Sequence, residues 1–175
     1  MRYACSMASK SMADRRPSKP VKPSLVLTNP IHLISFGLGT GLSPKAPGTV
    51  GTLLGFPLFA ALMSMGMAAQ LVMLAILFMV GVVCCQITGK AVGEPDHGGI
   101  VIDEIVCFAM VLVFVPASPL WWSAAFGTFR FFDIVKIWPA NWVDKTFKNG
   151  FGVMLDDLVA ALFSIGVLLG VQSLL

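Results

Sequence analysis

From positions 46 to 89, again from 105 to 129, and from 158 to 175, the chain contains no Asp, Glu, Lys or Arg. Uninterrupted apolar runs of about 18 residues or more are what a bilayer selects, because a helix needs about 20 apolar residues to cross the hydrocarbon. Composition agrees with this pattern. The 175 residues are 57% hydrophobic and 12% charged, against about 45–50% and about 25% in soluble domains. Those figures exclude a disordered chain, a nucleic-acid-binding module and an ordinary soluble enzyme surface. They predict an integral membrane protein with a single domain.

The net charge of +3 divides unevenly along the chain. Residues 1–22 hold six basic side chains against Asp14 alone, while the remainder holds six basic and eight acidic groups. Residues 1–27 therefore read as a disordered basic cytosolic tail. They do not read as a signal peptide, since no apolar core and no small-residue cleavage site follow the charges. Residues 28–175 read as one all-α domain, a multi-pass helical membrane bundle of about four to five spans. Asn29 before Pro30 predicts the start of a short interfacial helix carrying His32 and stopping at Gly37. The stretch 37–52, with five glycines and two prolines, reads as a loop with exposed backbone N–H groups.

Spans are predicted at 50–65 (kinked at Pro57), 69–85, 100–115, 120–138 and 152–174. With a cytosolic tail, segments 1–49, 86–99 and 139–151 share the cytosolic side, and the turns at 64–68 and 115–119 face the other. Every Lys and Arg then falls on or near the cytosolic side, as the positive-inside rule requires. The acids fall there too, so all groups capable of chemistry face one surface. Cys84, Cys85 and Cys107 lie in predicted spans without metal-ligand spacing and read as small buried hydrophobes.

Two adjacent acid pairs stand out, Asp103 with Glu104 and Asp156 with Asp157, each one turn into a predicted span. An uncompensated acid at mid-bilayer costs about 2.5–3.5 kcal/mol, so four of them need a surface position, a cation or a proton. The helix dipole alone would favour acids in a first turn. Two pairs at matching depth exceed what capping needs and suit a hard-cation site, Mg²⁺ completed by a phosphate. Adjacent residues point about 100° apart on a helix, so one of each pair can face a metal while the other binds a base. Arg130, Asp133 and Lys136, at i, i+3 and i+6, offer a phosphate clamp built from a guanidinium fork and a point charge. Phe129, Phe131, Phe132 and Trp138 beside them read as interfacial anchors. The glycine loop lacks the ending of a P-loop but can cradle phosphate oxygens with its backbone N–H groups. His97, beside Asp96, can hold a carboxylate, a phosphate or a leaving group.

The residues Gly41, Leu42, Ser43, Pro44, Pro47, Gly48 and Thr49, then Asp96, His97 and Gly98 with Asp103 and Glu104, then Arg130, Asp133 and Lys136, and finally Gly152 with Asp156 and Asp157, resemble in order the motifs of the phosphatidylglycerophosphatase A family. The resemblance covers about residues 28–172, with one departure where Ile137 replaces the first proline of a Lys-Pro-x-Pro pattern. It implies an all-helical bacterial inner-membrane enzyme that dephosphorylates phosphatidylglycerophosphate and requires Mg²⁺. On that basis Asp96, Asp103, Glu104, Asp156 and Asp157 are expected to supply metal ligands and a base for water. Arg130 and Lys136 are expected to hold the departing phosphate, with Asp133 orienting Arg130. Ser43, Pro44, Gly48, Thr49 and His97 are expected to contact substrate. Direct attack by metal-bound water is the expected chemistry, since no His, Ser or Cys stands out as a nucleophile, with an aspartyl-phosphate intermediate as the alternative. A small cation or proton transporter could use the same acids, but it predicts polar residues on both membrane faces, and one face here is bare.

Overall fold

The computed structural model describes residues 21–136, 138–139, 142 and 146–175, and all regular structure among them is helical. The expected disordered tail over residues 1–20, and Ile137, lie outside the described residues. Residues 23–27, which the sequence assigns to that tail, instead open the fold as part of α1 (Pro23–Thr28), with Val26 fully buried. Asn29 Oδ1 then accepts the Ile31 N–H at 2.9 Å and starts α2 (Pro30–Ser35), as its capping chemistry predicts.

A 3₁₀ turn at Gly37–Leu42 follows, reversed at Leu38 and Gly39, both at positive φ. The glycine-rich stretch is free of α-helix only as far as Ala46, because α3 (Pro47–Leu53) begins at a proline whose missing N–H is unneeded there. Next come α4 (Gly55–Leu62), α5 (Met67–Val92), α6 (Ile102–Val113), α7 (Pro119–Val135) and α8 (Gly150–Gln172).

Among the described residues two helices, α5 and α8, are long and apolar enough to cross a membrane, at 26 and 23 residues. The remaining predicted spans are shorter than expected. The first is broken at Leu54, where Pro57 has no N–H to offer the Leu53 carbonyl and the Leu54 N–H bonds three residues back to Gly51 O at 2.8 Å, as in a tightened last turn. Helix α6 has 12 residues, about 18 Å at 1.5 Å per residue. Helix α7 has 17, about 26 Å by the same measure.

Helix α5 runs past its predicted end at 85 to Val92, where Gly93 closes it in the left-handed conformation. The polar residues that suggested a loop are inward-facing partners. Gln86 Oε1 accepts the Gly150 N–H at 2.9 Å, and Thr88 Oγ1 meets His32 Nδ1 at 2.9 Å and Ser35 Oγ at 2.8 Å. His32 is thus buried between α2 and α5, not interfacial.

The core is built around α6, against which α3, α4, α5, α7 and α8 all pack. Its Phe108 meets Phe56 edge-on at 4.9 Å, Phe126 edge-on at 5.7 Å and Phe129 at 5.7 Å. Phe129 is therefore a core residue rather than an interfacial anchor, whereas Phe131 and Trp138 are exposed. Phe132 stacks on Phe163 of α8 at 5.5 Å. Cys84, Cys85 and Cys107 are free and buried.

Alternating chain direction brings the starts of α3, α6 and α8 and the ends of α5 and α7 to one end of the bundle, where the charged side chains meet. The opposite end is closed by two glutamines. Gln70 Nε2 donates to the Leu62 and Met65 carbonyls at 3.1 and 3.0 Å, and Gln172 Nε2 donates to Phe114 O at 3.2 Å.

Candidate active site

Arg130 and Asp133 lie one turn apart near the end of α7, so they share a face. Arg130 Nη1 contacts Asp133 Oδ2 at 2.7 Å and reaches across to Glu104 Oε1, in the first turn of α6, at 3.1 Å. The same nitrogen donates to Thr52 Oγ1 at 3.3 Å. Thr52 in turn bonds Glu104 Oε2 at 3.0 Å and its own-helix carbonyl, Gly48 O, at 2.8 Å. A side chain at Gly48 would overlap the Glu104 carboxylate. Glycine there lets α3 approach closely enough for Thr52 to join the cluster.

Helix α7 ends at Lys136, whose φ of 44° is left-handed, a conformation uncommon outside glycine. From that turn its ammonium pairs with Asp156, in the second turn of α8. Asn149 starts α8 by accepting the Gly152 N–H at 2.9 Å.

Each adjacent acid pair is thereby divided. Glu104 and Asp156 are bound to bases, while Asp103 Oδ1 and Asp157 Oδ2 are buried without a hydrogen-bond partner. Asp103 lies within electrostatic range of Glu104, Asp156 and Asp96, and Asp157 within range of Asp133, Asp103, Asp156 and Glu104. Burying an unpaired anionic oxygen is costly enough that a cation or proton is needed to offset it. Among the described residues, no group of three or more His, Cys, Asp or Glu is already arranged to hold a metal. Mg²⁺ commonly takes only one or two carboxylates, with phosphate oxygens and water completing its shell. Asp103 and Asp157 fit that donor set through their unpartnered oxygens.

The other expected residues are distributed as follows. Asp96 is exposed in the turn after α5 and its charge reaches Asp103. His97 is buried, its Nδ1 accepting the Gly99 N–H at 3.0 Å and its ring lying 5.8 Å from Phe36. Ser43 Oγ donates to Lys45 O at 2.9 Å within its own loop, and Pro44 is exposed. Thr49 is half-buried in the first turn of α3. Of the glycine-loop residues expected to contact substrate, Gly48 is the one that touches the charged cluster.

Thr52 was not singled out from the sequence. Its signal was a hydroxyl four residues after Gly48, hence on the same helix face, inside a run free of charged residues. Arg130 Nε is also buried without a partner, leaving one guanidinium donor uncommitted beside the acids.

A family model described as Phosphatidylglycerophosphatase A matches residues 33–172. The chain is 42% identical over 163 residues to a Haemophilus influenzae protein named phosphatidylglycerophosphatase A, covering 92% of this chain and 98% of that one. An Escherichia coli protein of the same name is 37% identical over 148 residues, with 84% and 86% covered. A Bacteroides thetaiotaomicron protein with the provisional name phosphatidylinositol-3-phosphatase is 37% identical over 140 residues, with 75% and 87% covered. No solved structure matches.

Proposed function

The chain belongs to the phosphatidylglycerophosphatase A family and is a phosphatase, and from that membership we propose that it hydrolyses the phosphomonoester of phosphatidylglycerophosphate to phosphatidylglycerol and phosphate, with Mg²⁺ as cofactor. The reaction takes place at the cytosolic leaflet of a bacterial inner membrane. Helices α5 and α8 cross the bilayer, and the shorter apolar helices complete a bundle of about four to five passes. The diacylglycerol chains then stay in the lipid while the headgroup moves laterally to the charged end. The positive-inside distribution of Lys and Arg supports this orientation.

The observation that carries the reading is the division of the acid pairs, with two base-bound carboxylates beside two that keep an unpartnered buried oxygen. Mg²⁺ held by Asp103 and Asp157 would neutralise phosphate charge and polarise the phosphoryl group. Arg130 and Lys136 bind the phosphate oxygens, exchanging Glu104 and Asp156 for the substrate's own negative charge. Arg130 Nε supplies a donor that needs no exchange. Asp133 keeps the guanidinium oriented throughout. Asp96, exposed in the turn after α5 and within electrostatic range of Asp103, takes the proton of the attacking water. Positioning and charge stabilisation account for most of the acceleration, as is general in phosphoryl transfer.

The test is phosphate release from phosphatidylglycerophosphate in detergent micelles, with Mg²⁺ and with chelator, against phosphatidylinositol 3-phosphate as the comparison lipid. Mg²⁺-dependent release from phosphatidylglycerophosphate is expected to exceed release from the comparison lipid. Release from the inositol lipid alone, or undiminished release in chelator, would overturn the substrate or the cofactor.

A further inference from the structure

One hydroxyl group links three helices at the charged end. Thr52 Oγ1 contacts Gly48 O in α3, Glu104 Oε2 in α6 and Arg130 Nη1 in α7, and the residue is fully buried. We infer that Thr52 is a positioning residue for hydrolysis, its hydroxyl holding the Glu104–Arg130 pair in register with the Gly48 backbone. This rests on the function proposed above.

A hydroxyl has one proton and two acceptor sites. Accepting from Arg130 occupies one acceptor site, and the single proton is shared between Gly48 O and Glu104 Oε2. Thr52 is fully buried, so its bonds are made to protein groups. A buried threonine commonly satisfies itself on the carbonyl four residues back, and Gly48 O provides that here. The contacts to α6 and α7 go beyond self-satisfaction, and an isosteric valine could not make them. As charge develops on the transferring phosphoryl group in the transition state and draws Arg130 Nη1 from Glu104, the Thr52 bond keeps the released carboxylate from following the guanidinium and competing for it.

The experiment compares Thr52→Val, Thr52→Ser and Glu104→Gln, alone and with Thr52→Val and Glu104→Gln combined, in the full-length protein. Thr52→Val is expected to lower kcat on the order of ten- to a hundredfold, with KM changed less than about threefold, the loss expected when hydrogen bonds to charged groups fail in the transition state. Thr52→Ser is expected to stay within about threefold of wild type, since it keeps the oxygen. The combined variant is expected to lose little beyond Glu104→Gln alone, because the two residues act as one unit. Wild-type kcat in Thr52→Val, an equal loss in Thr52→Ser, or multiplying effects in the combined variant would each overturn the inference. Should Thr52→Val not fold, Thr52→Ala against Thr52→Ser makes the same comparison. Thermal unfolding of the same four proteins needs no substrate. Non-additive shifts between Thr52→Val and Glu104→Gln support the link, and additive shifts contradict it even if another lipid proves to be the substrate.

Discussion

Asp103 and Glu104 are neighbours in the chain and opposites in their surroundings: Glu104 bonds Arg130 through one oxygen and Thr52 through the other, while Asp103 keeps a buried oxygen with no partner. Asp156 and Asp157 repeat the arrangement on α8, with Lys136 in the place of Arg130. The helical offset of about 100° between consecutive residues produces this division twice. Base-bound carboxylates and unpartnered ones therefore stand side by side at one end of the bundle.

Arg130→Lys is expected to lower kcat/KM on the order of a hundredfold in the phosphate-release assay. An ammonium cannot reproduce a planar guanidinium that bonds Asp133, Glu104 and Thr52 while keeping Nε for substrate. Arg130→Ala is expected also to destabilise the fold by about 3–5 kcal/mol, because two half-buried carboxylates lose their cation. Denaturant unfolding in detergent measures the second effect.

Lys136→Met keeps the apolar stem and removes the charge beside Asp156. KM for the lipid is expected to rise about tenfold, the loss of one charge-assisted contact, with the Mg²⁺ concentration for half-maximal rate changed less than about twofold. Steady-state kinetics at varied lipid and varied Mg²⁺ separates the two.

Much of this arrangement was legible in the residues themselves. Asn29 with Pro30 marked a helix start, Pro57 marked a break, and Arg130 with Asp133 marked a shared face, because each rests on contacts within a turn or two. What was not legible depends on distant partners. Gln86 and Thr88 resemble loop residues until Gly150 and His32 are brought to them from 64 and 56 positions away. The same cause turned His32 and Phe129 from expected interfacial residues into buried ones, and left Thr52 unnoticed until Glu104 and Arg130 stood against it. Hydropathy located apolar segments but not helix ends, so α6 has 12 residues where the sequence reading runs from 100 to 115.

Gly48→Ala is expected to destabilise by about 1–3 kcal/mol through overpacking and to reduce turnover, since the added methyl meets the Glu104 carboxylate. Gly166→Ala, at a position of α8 with open space around it, is expected to leave turnover unchanged and to stabilise slightly through helix propensity. Thermal unfolding and phosphate release together distinguish the two sites.

Phe108→Ala removes the ring that Phe56, Phe126 and Phe129 surround and is expected to cost about 3–5 kcal/mol, as large-to-small changes in packed cores do. Denaturant midpoints in detergent check this.

Whether Asp103 and Asp157 together hold a divalent ion is tested most directly by titrating Mg²⁺ in the phosphate-release assay for wild type, Asp103→Asn and Asp157→Asn, with Mn²⁺ binding followed in parallel by electron paramagnetic resonance. Each substitution is expected to raise the half-saturating metal concentration at least about tenfold and to weaken Mn²⁺ binding in step. Unchanged metal dependence in both variants, with Mn²⁺ bound as tightly as by wild type, would contradict the account.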